Sequence, residues 1–380
     1  MRRCVYLFAF LLAGPCTAAP APPSTSAWSS AEAQAEIEAF AKARAADVGN
    51  LVLGPRPPVL APPDDKLSCA ELYERRVVLM HAKSNYRPPF NDDPRTQVAV
   101  GFGTMPMTAP VFDAAPRLHA VVSCVSGTDG FDVPAATARG ILVANAATPD
   151  NQRGMAEAAV MLMLNLVHDL DGSREAMRLG LPRPYPMKAQ SLWGKTIGLV
   201  GWGRISAMTA ELLRPWGVRT LVYSRREQPG TVPDHVTLTP LDALMRDSDV
   251  VCVLAGAQAG APPIVTRAHL GLLKPTAFFI SLARGSTVDE AALTEVLAQQ
   301  RIAGAALDVF HTEPLAADSG LRGLDHVILT PHRVGHTFES DQSLIAATTA
   351  NVQALWRGQA PPLLCNPAAL ALWPQRRGHS

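Results

Sequence analysis

A short apolar run, Thr196 to Val200 (TIGLV), leads without a break into Gly201-Trp202-Gly203-Arg204-Ile205-Ser206, then a helical stretch to Pro215 and a second apolar run, Thr220 to Tyr223. Strand, glycine turn, helix and strand in that order make a βαβ unit. The first glycine permits the tight turn, and the second lets the backbone approach a pyrophosphate lying at the helix N-terminus. A small third residue lets the helix pack on the strand. Ser206 holds that third place, and serine is small enough to serve. Such a unit binds a dinucleotide, and it commits this part of the chain to a parallel α/β sheet.

The runs Val250 to Leu254, Ala277 to Ser281, Ala303 to Asp308 and Val327 to Thr330 read as further strands, separated by helical or loop segments of fitting length. Strands alternating with helices predict a doubly wound parallel sheet of Rossmann type. Met155 to Val167 is almost wholly apolar, so it reads as a buried helix whose methionines fill a core. Upstream, Leu118 to Val122 is strand-like and ends in Ser123-Cys124-Val125-Ser126-Gly127-Thr128-Asp129-Gly130. Small residues after a strand expose backbone N–H groups that can hold a carboxylate. Val77 to Met80 and Val98 to Val100 suggest shorter strands. Pro20 to Pro63 reads as a Pro- and Ala-rich linker with one helix, Ala31 to Ala46, opened by a Ser29/Glu32 capping pattern.

At 380 residues, with 48% hydrophobic and 18% charged side chains, the chain has material for two cores and too little charge for disorder. Lys plus Arg number 34 against 33 Asp plus Glu, which leaves no electrostatic footprint for nucleic acid. Six cysteines, at 4, 16, 69, 124, 252 and 365, include no CxxC pair, which argues against a structural metal or a disulfide scaffold. The N-terminus has the pattern of a secretory leader: Met1-Arg2-Arg3, an apolar core from Cys4 to Ala13, and small residues that place cleavage after Ala18. That core is too short to span a bilayer. The leader predicts an exported, periplasmic protein, with the cytoplasm as the alternative.

Three segments near the end of the Rossmann region each carry an ionisable residue just after a strand, where ligands of open α/β sheets bind: Ser281 to Leu293, Ala306 to Leu315 and Leu329 to Thr337. The residues are Arg284, Glu313 and His332. Hydride transfer to a 2-keto acid needs a proton donor for the oxygen, a cation for the carboxylate and a group that keeps the donor protonated. His332 fits the acid/base, Glu313 its anionic partner, and Arg284 the planar fork for carboxylate and carbonyl oxygen.

The stretches PRLHAVVSCVSGTDGFDV, GKTIGLVGWGRIS, ARGSTVDEAAL, GAALDVFHTEPL and LTPHRVGHT, spread from Pro116 onward, together resemble the D-isomer-specific 2-hydroxyacid dehydrogenase family. The resemblance implies Arg284, Glu313 and His332 as the catalytic set and Ser126 and Gly127 as backbone donors to the substrate carboxylate. It also implies Gly201, Gly203, Arg204 and Ile205 at the pyrophosphate, Ala283 at the cofactor, and Asp308 near the nicotinamide carboxamide. Relatives that act on formate commonly carry Gln where Glu313 stands, so the carboxylate argues for a 2-keto acid. The family implies a discontinuous, flavodoxin-like substrate domain and a homodimer. The expected division is a leader over 1–19, a linker over 20–63, a substrate domain over 64–147 and 336–375, and a dinucleotide-binding domain over 148–335.

Cofactor choice follows from the end of the second strand, where NAD-binding units carry an acidic residue for the ribose 2′-OH. Here Ser224 is followed by Arg225 and Arg226, which predicts NADPH rather than NADH, because two guanidiniums can pair with a 2′-phosphate. NAD remains possible. A non-catalytic protein that senses the dinucleotide is the other reading these features allow.

Overall fold

The computed structural model describes the strand at 5–7 and residues 97–378, apart from 183–186, 227–229 and 258–259. The chain divides into two compact units, one of residues 1–147 and 342–380, the other of residues 148–341. The return crossing falls at Asp341/Gln342 rather than at the expected 335/336. Residues 336–341 are held in the second unit by Asp341, which pairs with His336 at 3.3 Å and Arg333 at 3.7 Å, and by a buried Asn151–Ser340 hydrogen bond of 3.1 Å.

The first unit holds a parallel four-stranded sheet in the order β1-β2-β3-β4, comprising β1 (Val5–Leu7), β2 (Val98–Gly101), β3 (Ala120–Ser123) and β4 (Leu142–Ala144). Ala99, Val121 and Val143 face a core closed by Phe112 and Ala136 of the helices Ala109–Ala114 and Val133–Ala138. Val98, Val100, Ala120, Val122 and Leu142 face the opposite way, against Leu355 and Trp373. Both faces of β2 and β3 are therefore covered, which is why those two strands read as unbroken apolar runs. β1 lies within the apolar run that the sequence offers as a leader core, and it pairs with β2 from Val5↔Val98 to Leu7↔Val100. The rest of that run, the linker helix at 31–46 and the strand expected at 77–80 lie outside the described residues.

The second unit is a parallel seven-stranded sheet in the order β11-β10-β9-β8-β5-β6-β7. Its strands are β5 (Thr196–Val200), β6 (Arg219–Tyr223), β7 (Val236–Leu238), β8 (Val250–Val253), β9 (Phe278–Ser281), β10 (Gly304–Leu307) and β11 (Val327–Leu329). The direction of winding reverses between β5 and β8, the place where open sheets of this kind bind ligands. Alternate side chains again serve two cores. Val200, Val251, Phe279 and Ala305 meet Leu244 and Val296 on one face; Leu199, Cys252, Ile280 and Ala306 meet Met163 and Ala210 on the other.

The helix Pro149–Val167 starts earlier than its apolar stretch because Thr148 caps it, accepting from Asn151 N at 3.4 Å, with Pro149 in the first turn. At the base of the sheet Asp249 accepts from Thr196 N and from Lys274 Nζ, each at 2.8 Å. Burial alone would raise its carboxyl; the lysine and the amide outweigh it and hold it below its usual value. No helix among the described residues is long and apolar enough to cross a membrane.

Candidate active site

The glycine turn after β5 has the geometry the sequence requires. Gly201 sits at φ +104°, and a Cβ there would lie 2.6 Å from the Ala255 Cα, so the turn closes against the segment following β8 only without a side chain. Gly203 is exposed and extended, with open space beside it, and caps the helix Arg204–Leu213. Open backbone at a helix N-terminus is a cradle for a pyrophosphate, so the residues present fit a dinucleotide. Ser206 is buried, 1% exposed, as close helix packing demands, and its hydroxyl has no hydrogen-bond partner. At the end of β6, Ser224 Oγ accepts from Arg226 N at 3.2 Å, and both arginines are exposed. Arg225 lines a recess with Gly256, Ala257, Ile264 and Ser286.

The three ionisable residues follow β9, β10 and β11, which are adjacent strands. His332 Nδ1 lies 2.8 Å from Glu313 Oε2 and 3.0 Å from Oε1, with both side chains about a third exposed, at 38% and 29%. Phe310 N donates to Glu313 Oε1 at 3.2 Å and orients the carboxylate. Arg284 is partly buried, and its Nη1 donates to Ala283 O at 2.7 Å. The backbone just past it presses on the strand-end segment leading to Glu313, since a Cβ on Gly285 would fall 2.0 Å from the Phe310 carbonyl carbon. That close approach brings the arginine and glutamate loops together.

His332 adopts φ +55°, a left-handed conformation that non-glycine residues avoid and that recurs at functional sites. Asp308, 1% exposed, fixes this turn: its Oδ1 accepts from Thr330 Oγ1 at 2.6 Å, Arg333 N at 2.9 Å and Val334 N at 3.2 Å. The sequence suggests a place near the cofactor for Asp308 and gives no sign of this second task, because the two segments meet only in space.

Ser126 and Gly127 lie in the other unit, in the loop after β3. The neighbouring Cys124 is buried, and burial pushes its thiol up to about 12, so it is no nucleophile near neutral pH. Among the described residues no group of three or more His, Cys, Asp or Glu side chains could hold a metal ion.

Residues 160–333 match the family model described as D-isomer specific 2-hydroxyacid dehydrogenase, NAD binding domain. A glyoxylate reductase of Thermofilum pendens is 37% identical over 273 residues, covering 70% of this chain and 80% of the relative. The chain belongs to the D-isomer-specific 2-hydroxyacid dehydrogenase family. A second glyoxylate reductase, from Pyrococcus furiosus, is 36% identical over 265 residues, covering 67% of this chain and 78% of its own. Among solved structures, an NADPH-dependent glyoxylate/hydroxypyruvate reductase from Sinorhizobium meliloti, in complex with NADP and malonate, is similar with a TM-score of 0.66 and 29% identity. That similarity covers 73% of this chain and 86% of the other. The dehydrogenase is an NAD(P)-dependent oxidoreductase acting between small 2-keto and 2-hydroxy acids, on a parallel α/β fold.

Proposed function

We propose that the enzyme reduces a small 2-keto acid of the glyoxylate and hydroxypyruvate kind to the D-2-hydroxy acid, with NADPH preferred to NADH. The observation that carries this reading is the His332–Glu313 pair beside the Arg284 loop. Glu313 engages Nδ1, which fixes the ring and leaves Nε2 to carry a transferable proton. Arg284 supplies a planar cation for the carboxylate and the polarised keto oxygen. The dihydronicotinamide, when bound, supplies the hydride for the keto carbon. His332 gives its proton to the oxygen, completing the alcohol, and Glu313 balances the charge while the imidazole is protonated.

NADPH is favoured by what stands at the end of β6: Ser224 holds the place where an NAD-binding unit carries its acidic residue, Arg225 and Arg226 follow it, and Arg225 lines the recess next to the switch point. Steady-state reduction of glyoxylate, hydroxypyruvate, pyruvate and bulkier 2-keto acids tests both parts. Turnover on the smaller acids with kcat/KM higher for NADPH is expected. The Arg225→Ala/Arg226→Ala double variant should lose about tenfold to a hundredfold in NADPH affinity, the range of charge-assisted hydrogen bonds; unchanged affinity would sink the assignment.

A homodimer is supported by exposed apolar side chains gathered along one stretch of the second unit: Met161, Leu170, Met177, Leu181, Met187 and Trp193, from 50% to 79% exposed. Sedimentation giving a monomer at micromolar concentration would count against it. Export is supported by the N-terminal pattern and opposed by the pairing of Val5–Leu7 with β2. A mature chain starting near Ala19 outside the cytoplasm supports export, and a soluble cytoplasmic chain starting at Met1 removes it.

A further inference from the structure

We infer that Ser123 and Asn145 are positioning residues that aim the backbone of the loop after β3 at the substrate carboxylate; this deepens the reductase reading and rests on it. Three successive carbonyls of that loop are taken up from behind. Val125 O accepts from Ala146 N at 3.0 Å, Ser126 O from Asn145 Nδ2 at 3.0 Å, and Gly127 O from Ser123 Oγ at 2.6 Å. A trans peptide is planar, with its N–H opposite its C=O. Anchoring these carbonyls therefore turns the N–H groups of Ser126, Gly127 and Thr128 the other way, as a row of donors that suits an anion.

Ser123 is fully buried and commits its hydroxyl in both senses, donating to the close Gly127 O and accepting from Val125 N at 3.3 Å. Gly103, from the neighbouring strand end, backs the same peptide. A Cβ there would lie 1.8 Å from Gly127 O and 2.9 Å from Ser123 Oγ, so nothing larger than glycine fits behind the loop. Asn145 is fixed in turn: its backbone O accepts from Asn351 Nδ2 at 2.7 Å and its Oδ1 from Ala147 N at 3.3 Å. None of these side chains is asked to touch the substrate. Their work is to hold peptide planes that otherwise rotate.

The test compares Ser123→Ala and Asn145→Ala with the parent protein, all carrying NADPH, and reads three quantities: KM and kcat for the 2-keto acid, NADPH affinity, and the dissociation constant of oxalate, an unreactive carboxylate probe. Each variant should raise KM and weaken oxalate about tenfold, with kcat at saturation and NADPH affinity within about twofold of the parent. A general loss of fold moves NADPH affinity and melting temperature as well, and that result in both variants would overturn the positioning role. So would unchanged KM and oxalate binding in folded variants, or a parent protein that binds no oxalate. If the parent binds oxalate, the variants bind it less well, and no 2-keto acid is turned over, the positioning stands and the reductase reading falls. Asn145→Ala keeps the proposal testable should Ser123→Ala fail to fold.

Discussion

The two units use one architectural rule with different working atoms. Both deliver function at the carboxyl ends of parallel strands. In the Rossmann unit the delivered groups are charged side chains, Arg284, Glu313 and His332, with the histidine braced by a carboxylate and by a turn that Asp308 holds. In the other unit the delivered groups are peptide N–H bonds, and the side chains of Ser123 and Asn145 work behind them. The difference teaches where function leaves a trace. A charged side chain must be a particular residue type, whereas an aimed peptide needs only small residues and an anchor elsewhere.

The comparison breaks most readily at Arg284. Arg284→Ala should cut kcat/KM for 2-keto acid reduction by at least about two orders of magnitude, the effect of removing a charge clamp in a preorganised site. A loss under tenfold, in steady-state kinetics on a folded variant, would mean that Arg284 is not the clamp for the substrate. Asp308→Ala comes next, with kcat down about tenfold, the order expected when an acid/base group is misplaced. Hydrogen exchange at the Arg333 and Val334 amides should speed up together with that loss. Protected amides in the variant would show that another group holds the His332 turn.

Asp249 asks whether the Rossmann sheet depends on charge at its base as well as at its working end. Asp249→Asn should destabilise the unit by about 1–3 kcal/mol, because one oxygen keeps the Thr196 amide while the lysine loses its charged partner. The sign with pH follows from a carboxyl held below its usual value. Its contribution is present above the unfolded value of about 3.9 and is lost as pH falls below it. Denaturant melts at pH 6 and pH 3, taken as rough reference points on either side of that value, should therefore separate parent and variant more at the higher pH. The smallest effect is at Ser206, where Ala removes a buried hydroxyl with no partner. Stability should stay level or rise by about 1 kcal/mol; a clear loss in melting temperature would show that the hydroxyl is bonded.

Much of the Rossmann unit is legible before folding. The strands at 196, 250, 278 and 304 are buried on both faces and write themselves as apolar runs, the partly buried edge strand at 327 is apolar too, and the glycine turn announces the dinucleotide helix. β7 carries no such signature: Val236–Leu238 has three residues, of which only Val236 is buried. β4 is hidden for a different reason, since Leu142–Ala144 is fully buried but too short to stand out after Gly140. The candidate site divides along the same line. His332, Glu313 and Arg284 can be read from their motifs, but Asp308 reaches a turn 25 residues away along the chain and Ser123 reaches carbonyls defined only by the loop's own folding. Side-chain identity survives in a sequence; the direction of a peptide plane does not.

The central claim is that His332, paired to Glu313, gives the proton that completes reduction of the keto group. Single-turnover reduction of glyoxylate by NADPH-loaded enzyme, parent against His332→Ala, tests it directly. The claim requires a fall of about 10²- to 10⁴-fold in the His332→Ala rate with NADPH affinity and melting temperature preserved. A folded, NADPH-binding His332→Ala variant that reduces glyoxylate near the parental rate would contradict it.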